Sequence, residues 1–418
     1  MLSRLAPIRR LLTTNIRTQT YLYSTSLSPA PGFYTEQHHQ MSEMLNKIIE
    51  RDINPFVKEW EKKGIFPAKE VFKNLGNHGL LGVTKPTENG GLGLDFSYSV
   101  AIAETLGNVK NGGVPMAIGV QTDMATPALA KHGNEQLKKE FLEPSIRGDY
   151  VACIGVSEPG AGSDVAGIKT TAREKGSDFV ITGGKMWITS GTQADWMCCL
   201  AITEPGEKNP YKNKSLICLP MNTKGIHIEK KITKIGNNSS DTALIHFDDV
   251  IVPQANVIGE RGKGFYYQMM QFQEERLWGS TNVLKAMECI ISETADYCNQ
   301  RKAFGRPILA NQVVQFKLCE LQTEIEALRS LVYRATKEYI SGNDVTRLAT
   351  MAKLKAGPLS RRVADSCLQY WGGMGYTDEV EVSRLYLDVR LLSIGAGADE
   401  VMMQILAKMN RWPDTYPM

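Results

Sequence analysis

No stretch of this chain approaches the roughly 20 consecutive apolar residues that a membrane-crossing helix needs, so a soluble protein is expected. The eight cysteines (Cys153, Cys198, Cys199, Cys218, Cys289, Cys298, Cys319 and Cys367) form no C-x-x-C, and none of the six histidines sits at metal-ligand spacing from them. No metal site is therefore expected, and in a reducing compartment these thiols should be small buried apolar residues. The glycine clusters complete no G-x-G-x-x-G. "EPGAGSD" runs into Val165, and "WGGMGYTD" and "GAGADE" lack the third glycine. There is no G-x-x-x-x-G-K-[ST] either. Any dinucleotide must be held by another architecture.

Acidic residues are absent from one segment in particular. Residues 1–32, "MLSRLAPIRRLLTTNIRTQTYLYSTSLSPAPG", carry Arg4, Arg9, Arg10 and Arg17 and no acid. Without those four arginines the formal charge of +3 becomes −1, with 44 bases facing 45 acids. The rest of the chain shows no basic patch that would suit nucleic acid. An Arg-rich, Ser/Thr-rich, acid-free leader is the mitochondrial transit pattern, with removal expected before Phe33; the alternative is a plain basic tail. The matrix is the expected location.

What is present divides into three zones, expected at 33–150, 151–254 and 255–418, with no internal repeat. The total of 418 residues suits two or three domains or one large composite. The first zone is helical: "MSEMLNKIIERDINPFVKEWEKK" places Met44, Ile48, Ile49 and Ile53 at three- and four-residue spacing. "FPAKEVFKNLGNHGLLG" and "YSVAIAETLG" read as further helices closed by glycine, and "TENGGLGLD" as a loop. In the second zone the period drops to two. "DFVITGGKMWITS" reads as a hairpin about Gly183–Gly184, and "WMCCLAIT", "KSLICLPM", "GIHIEKKI" and "TALIHFDDVIV" follow as strands of an antiparallel domain. From Gly262 long helices return, and four antiparallel ones would make a bundle. The fold class is α+β.

One carboxylate is out of place. The helix from Gly262 has an expected buried stripe through Phe265, Met269, Phe272, Gly279, Val283, Met287 and Ile290. Glu275 falls on that stripe, while Glu274, rotated by about 100°, is expected to reach solvent. An acid on an apolar face is costly unless it is paired or used. It either pairs with a cation from another helix or serves as a general base of raised pKa, with Gly279 leaving room for a substrate.

Six motifs in order, "SEPGAGSDVAGIKTTA", "GGKMWITSG", "GKGFYYQMMQFQEERL", "QRKAFGRPI", "QYWGGMGYT" and "SIGAGADEVM", resemble those of the mitochondrial acyl-CoA dehydrogenases, over nearly everything after Glu36. The resemblance implies an N-terminal helical domain, a central β domain and a C-terminal four-helix bundle. It implies a homotetramer holding FAD at subunit interfaces, and electrons passed to electron-transferring flavoprotein. The chemistry implied removes the α-proton of an acyl-CoA thioester as the β-hydrogen leaves as hydride. By motif match, Val156, Ser157 and Ser163 border the flavin, with Ser163 also near the CoA arm, and Trp187 and Thr189 pack against it. A plain β-turn and a core aromatic are the alternatives for the first and last of these motifs. Arg301, Phe304, Gln312, Gln369, Gly372 and Gly373 match positions that reach a neighbouring subunit's FAD. Tyr266, Gln273 and Arg276 match acyl-CoA contacts.

The resemblance also bears on the base. Many straight-chain members carry it as Glu in the last motif, where this chain has Ala396 within "IGAG". The long-chain and isovaleryl-CoA subset carries it immediately before the Arg of "ERL", which here is Glu275. Ala396 and Gly397 then become substrate-pocket wall, with the Ala396 N–H on the thioester carbonyl. Ala398, Asp399 and Glu400 lie at the flavin end, the two acids opening a helix. A medium-to-long or branched acyl-CoA is expected, with isovaleryl-CoA the runner-up. Rivals are an acyl-CoA oxidase, argued against by "DTYPM" in place of an S-K-L address, and a non-enzymatic assembly partner.

Overall fold

The computed structural model describes residues 32–412, so the leader expected at 1–32 lies outside the described residues save Gly32. Helix α1 (Glu36–Ile48) does not run unbroken through "NPFVKEW". It passes through a wide turn at Ile49–Ile53 and a tight one at Asn54–Phe56 before α2 (Val57–Lys63). Pro55 brings no N–H and forces that change of winding. Gly64, at φ 67°, ends α2. Helices α3 (Ala68–Asn77) and α4 (Phe96–Leu106) follow, the latter capped by the Asp95 carboxylate accepting from Ser97 N. Helix α4 is buried on nearly every face because it lies between α1 and the C-terminal bundle. Two further helices, α5 (Gly113–Gly119) and α6 (Pro127–His132), complete this layer together with two single turns at Glu135–Leu137 and Glu143–Ile146.

The central zone is one eight-stranded sheet: β1 (Ala152–Gly155), β2 (Thr171–Lys175), β3 (Asp178–Thr189), β4 (Trp196–Ile202), β5 (Lys214–Pro220), β6 (Ile226–Lys231), β7 (Thr242–Pro253) and β8 (Val257–Ile258). Its order is β6-β7-β3-β2-β4-β5-β8, with β1 beside β4. The pairs are antiparallel except β1–β4 and the single Thr171–Ile202 pairing of β2 with β4. The hairpin expected at Gly183–Gly184 is not there: β3 runs straight through both glycines, and the reversal is at Gly176–Ser177, with Gly176 at φ 64°. Gly183 instead marks a bulge against β7, and a Cβ there would stand 2.7 Å from Thr170 Oγ1.

The third zone packs three long helices, α7 (Gly264–Gln300), α8 (Gln312–Ile340) and α9 (Thr346–Trp371). A short hairpin, β9 (Lys302–Ala303) and β10 (Arg306–Pro307), links α7 to α8. Short α10 (Glu381–Asp388) and α11 (Asp399–Met409) pack on α9 and supply the fourth member of the bundle. Arg329 of α8, almost wholly buried, binds Glu104 of α4 at 3.1 Å and Glu288 of α7 at 2.5 Å, locking the two helical layers together. Among the described residues no helix is long and apolar enough to cross a membrane. Six of the eight cysteines are buried as expected, but Cys289 is only partly so and Cys319 is exposed.

Helix α7 is rotated from its expected setting. In its first turns the buried face runs through Gln271, Glu274, Leu277, Trp278 and Thr281. Phe265, Met269, Phe272, Glu275 and Gly279 form a half-exposed column instead. Glu274 is thus not the solvent-facing acid: it is buried, with its Oε1 bonded to the Lys131 ammonium of α6 and the Tyr339 hydroxyl of α8. Replacing Glu274 with Gln should therefore not be mild. Removing a buried, doubly bonded carboxylate should cost about 1–3 kcal/mol, read as a lower urea midpoint at unchanged m-value.

Candidate active site

The half-exposed column of α7 is the part of this helix left uncovered by the packing of the three zones. Glu275 sits in its middle, and among the described residues no donor forms a hydrogen bond or ion pair with it. Burial pushes its carboxyl up to about 7; the charges of Arg276 on the same helix and Lys353 on α9 pull the other way without overcoming it. Two cations therefore approach Glu275, but neither pairs with it. Arg276 is itself buried, its guanidinium set over the Phe272 ring, and its Nε has no partner. Gly279, one turn beyond Glu275, leaves open space. A Cβ there would meet only Leu392 Cδ1, at 3.5 Å.

Opposite this column lies the turn Ile394–Ala398. Ala396 adopts φ 55° and Gly397 φ 95°, a conformation that favours small residues. Ala398 is the residue preceding α11, and Asp399 and Glu400 occupy its first turn, as expected. Asp399 is mostly buried, with Arg361 of α9 at 3.9 Å, whereas Glu400 is exposed. Lys353, which sequence reasoning passed over, is fully buried under this turn and donates to the Gly397 carbonyl. A lysine in a helix reads as surface, so only the packing reveals it. Gln273, expected on the substrate, is buried with its Nε2 donating to Thr346 Oγ1 at 2.8 Å. Tyr266 is exposed.

The sheet contributes a second wall. The segment Val156–Glu158 is pinned to β3: Lys185 Nζ donates to Val156 O at 3.1 Å and to Glu158 Oε1 at 2.8 Å, and Met186 N donates to Ser157 O at 2.9 Å. Burial raises the Glu158 carboxyl, but the Lys185 charge and three hydrogen bonds outweigh it and leave it lowered. Lys185 and Glu158 were also missed by the sequence reading. The pair holds the turn while Ser163, Gly160 and Gly162 stay open; a Cβ at either glycine would meet nothing within 4 Å. Trp187 is not a core aromatic. It stands at φ 66° within the second bulge of β3, 57% exposed, with Thr189 half-buried two residues on. An uncovered indole held in strained backbone beside open turns fits a planar ring system with a phosphate-bearing arm.

Arg301, Phe304, Gln312, Gln369, Gly372 and Gly373 also come together, but elsewhere. All are exposed, at the end of the bundle where α7 and α9 finish and α8 begins. Arg301 lies 26 residues past Glu275 along α7, roughly 39 Å at 1.5 Å per residue. Within one chain Arg301 therefore cannot reach Glu275.

Sequence models of the acyl-CoA dehydrogenase N-terminal, middle and C-terminal domains match residues 35–149, 153–250 and 262–409. The chain is 34% identical to the long-chain specific acyl-CoA dehydrogenase of Sus scrofa over 375 residues, covering 90% of this chain and 86% of that one. It is 32% identical to the isovaleryl-CoA dehydrogenase of Bos taurus, over 89% of this chain and 88% of that one. Among solved structures, an acyl-CoA dehydrogenase from Geobacillus kaustophilus superposes with a TM-score of 0.87 at 37% identity, over 91% of this chain and 99% of that one. With three domains matched in order over nearly all of its described residues, the chain belongs to the acyl-CoA dehydrogenase family of FAD-dependent oxidoreductases.

Proposed function

We propose that this enzyme desaturates a medium-to-long or branched acyl-CoA between its α and β carbons, with Glu275 as the base. The observation that carries this reading is the Glu275 carboxyl, unpaired and pushed up to about 7. A base of that pKa is half ionised at neutral pH and close in proton affinity to what it must accept. Glu275 would take the α-proton. The buried Arg276 and Lys353 charges would hold the carboxylate ionised enough to act, and the Ala396 N–H would receive the thioester oxygen as negative charge develops on it. Bound FAD supplies the acceptor for the β-hydrogen. Val156, Ser157, Trp187 and Thr189 would hold the flavin ring, and Ser163 would face its phosphates and the CoA arm. Ala398, Asp399 and Glu400 would close the other side.

The substrate reading rests on absent bulk. Gly279, Gly395 and Ala396 carry little or no side chain where larger residues would crowd the space beside Glu275, which suits long or branched chains and is compatible with isovaleryl-CoA. We further propose a homotetramer in the mitochondrial matrix that hands electrons to electron-transferring flavoprotein. The exposed Phe304, Val313, Phe316 and Tyr376, close to Arg301, Gln312 and Gly372, support a subunit contact that would complete a neighbour's FAD site.

Glu275→Gln should bind FAD and acyl-CoA yet lose dehydrogenation by orders of magnitude; wild-type-like turnover with a dye acceptor would remove Glu275 as base. Its raised pKa has a second consequence. The folded state holds this proton more tightly than the unfolded chain, so ionising Glu275 costs stability as pH rises from about 4.5 to about 7. The Tm of Glu275→Gln should therefore exceed that of wild type above pH 7 and converge with it near pH 4. A pH-independent difference would contradict the assigned shift. Ala396→Glu should fill the space beside Glu275 and raise KM for bulky or branched thioesters first; a uniform response across a panel of acyl-CoAs would show that Ala396 does not line the acyl site.

A further inference from the structure

Lys353 is a fully buried cation with no carboxylate within 4 Å among the described residues, and its ammonium goes to a backbone carbonyl, that of Gly397. An uncharged side chain of similar length would fill the same space at far lower desolvation cost. Lys353, Gly357 and Arg361 stack at four-residue spacing on one face of α9, and the turn leading into α11 docks on that face. Gly357 is the notch that permits it: a Cβ there would stand 2.6 Å from Ser393 Oγ and 3.1 Å from Asp399 Oδ1. Both of those oxygens are buried without a partner, so Lys353 provides the one side-chain bond seen to tie down the segment that contains Ala396 at φ 55°.

We propose that Lys353 is a positioning residue of the dehydrogenase site, tethering the Ile394–Ala398 turn through the Gly397 carbonyl and setting a buried positive charge beneath that turn. The inference rests on the dehydrogenase reading given above. The charged groups around it come from every packed element: Glu275 and Arg276 from α7, Asp399 and Glu400 from α11, and Arg361 beside Asp399 from α9 itself. Of these, Arg276 and Lys353 lower the proton affinity of Glu275, and Arg276 is already fixed next to it on the same helix. Lys353 is the cation that couples Glu275 to the opposite wall. One side chain thus links the base to the backbone that would receive the thioester oxygen.

The test compares Lys353→Met and Lys353→Gln with wild type, as FAD-loaded enzymes. Loss of the charge should move the acid limb of kcat/KM to higher pH by about one unit in both variants, a roughly tenfold loss on that limb. Hydrogen exchange of the backbone at 394–398 should speed several-fold in Lys353→Met. In Lys353→Gln, which keeps a donor but not the charge, it should fall between Lys353→Met and wild type. A lysine serving packing alone would lower Tm and leave the acid limb in place, so an unmoved limb in either folded variant overturns the proposal. Unchanged exchange of the turn in Lys353→Met overturns the tether. Glu275→Gln separates the two readings. If it is inactive while the limb of the Lys353 variants stays put, only the inference about Lys353 fails; if it turns over normally, the base assignment fails with it.

Discussion

A largely desolvated carboxylate without a partner is the constraint on which the arrangement around α7 depends. Burial alone would neutralise Glu275. Two cations, Arg276 and Lys353, stand close enough to moderate that effect and far enough to leave the oxygens free. The three zones of the chain contribute to keeping this arrangement in place. Helix α6 and α8 grip Glu274 next door, which fixes the rotation of α7 and so the direction of Glu275. Arg329 ties α7 and α8 to α4. The sheet brings Trp187 and the 156–163 turn to the opposite side. A carboxyl held near neutrality needs this much scaffold because its ionised form is destabilising unless the surroundings are fixed in advance.

Stability is spent at the same place. Lys353 is buried under the turn, Ala396 and Trp187 hold positive φ, and Arg276 Nε, Ser393 Oγ and Asp399 Oδ1 lack partners. Other unmet polar groups and positive-φ residues lie elsewhere, as at Asn89, Ser239, Asn237 and Asp249, so this cluster is one of several. The chain has no Gly-rich phosphate loop of the G-x-G-x-x-G kind between strand and helix, so under the proposed reading the open 160–163 turn and the uncovered Trp187 indole would take over its part.

Much of the fold was legible because helix and strand periods differ and the chain switches between them cleanly. The α–β–α order and strands β3 to β7 were readable, whereas the short β1, β2 and β8 were not. Glycine misled at Gly183, where a bulge forced by close approach to Thr170 imitates a turn in sequence. The site was legible in part and for a mixed reason. Phe265, Met269 and Phe272 look like core because a ligand-facing wall is as apolar as a core, so the stripe found Glu275 while misplacing Glu274. Lys185 and Lys353 were invisible because no local pattern distinguishes a buried lysine from a solvated one. The set around Phe304 was proposed only by resemblance, since within one chain its Arg301 lies roughly 39 Å along α7 from Glu275.

The most direct test of the central claim isolates proton abstraction from hydride transfer. An acyl-CoA whose β-carbon bears no hydrogen, incubated with the FAD-loaded enzyme in D2O without oxygen, can exchange its α-proton and do nothing further. Wild type should incorporate deuterium at the α-carbon with a rate that rises through about pH 7, and Glu275→Gln should not. Exchange undiminished in Glu275→Gln would show that another group takes the proton and that Glu275 is not the base.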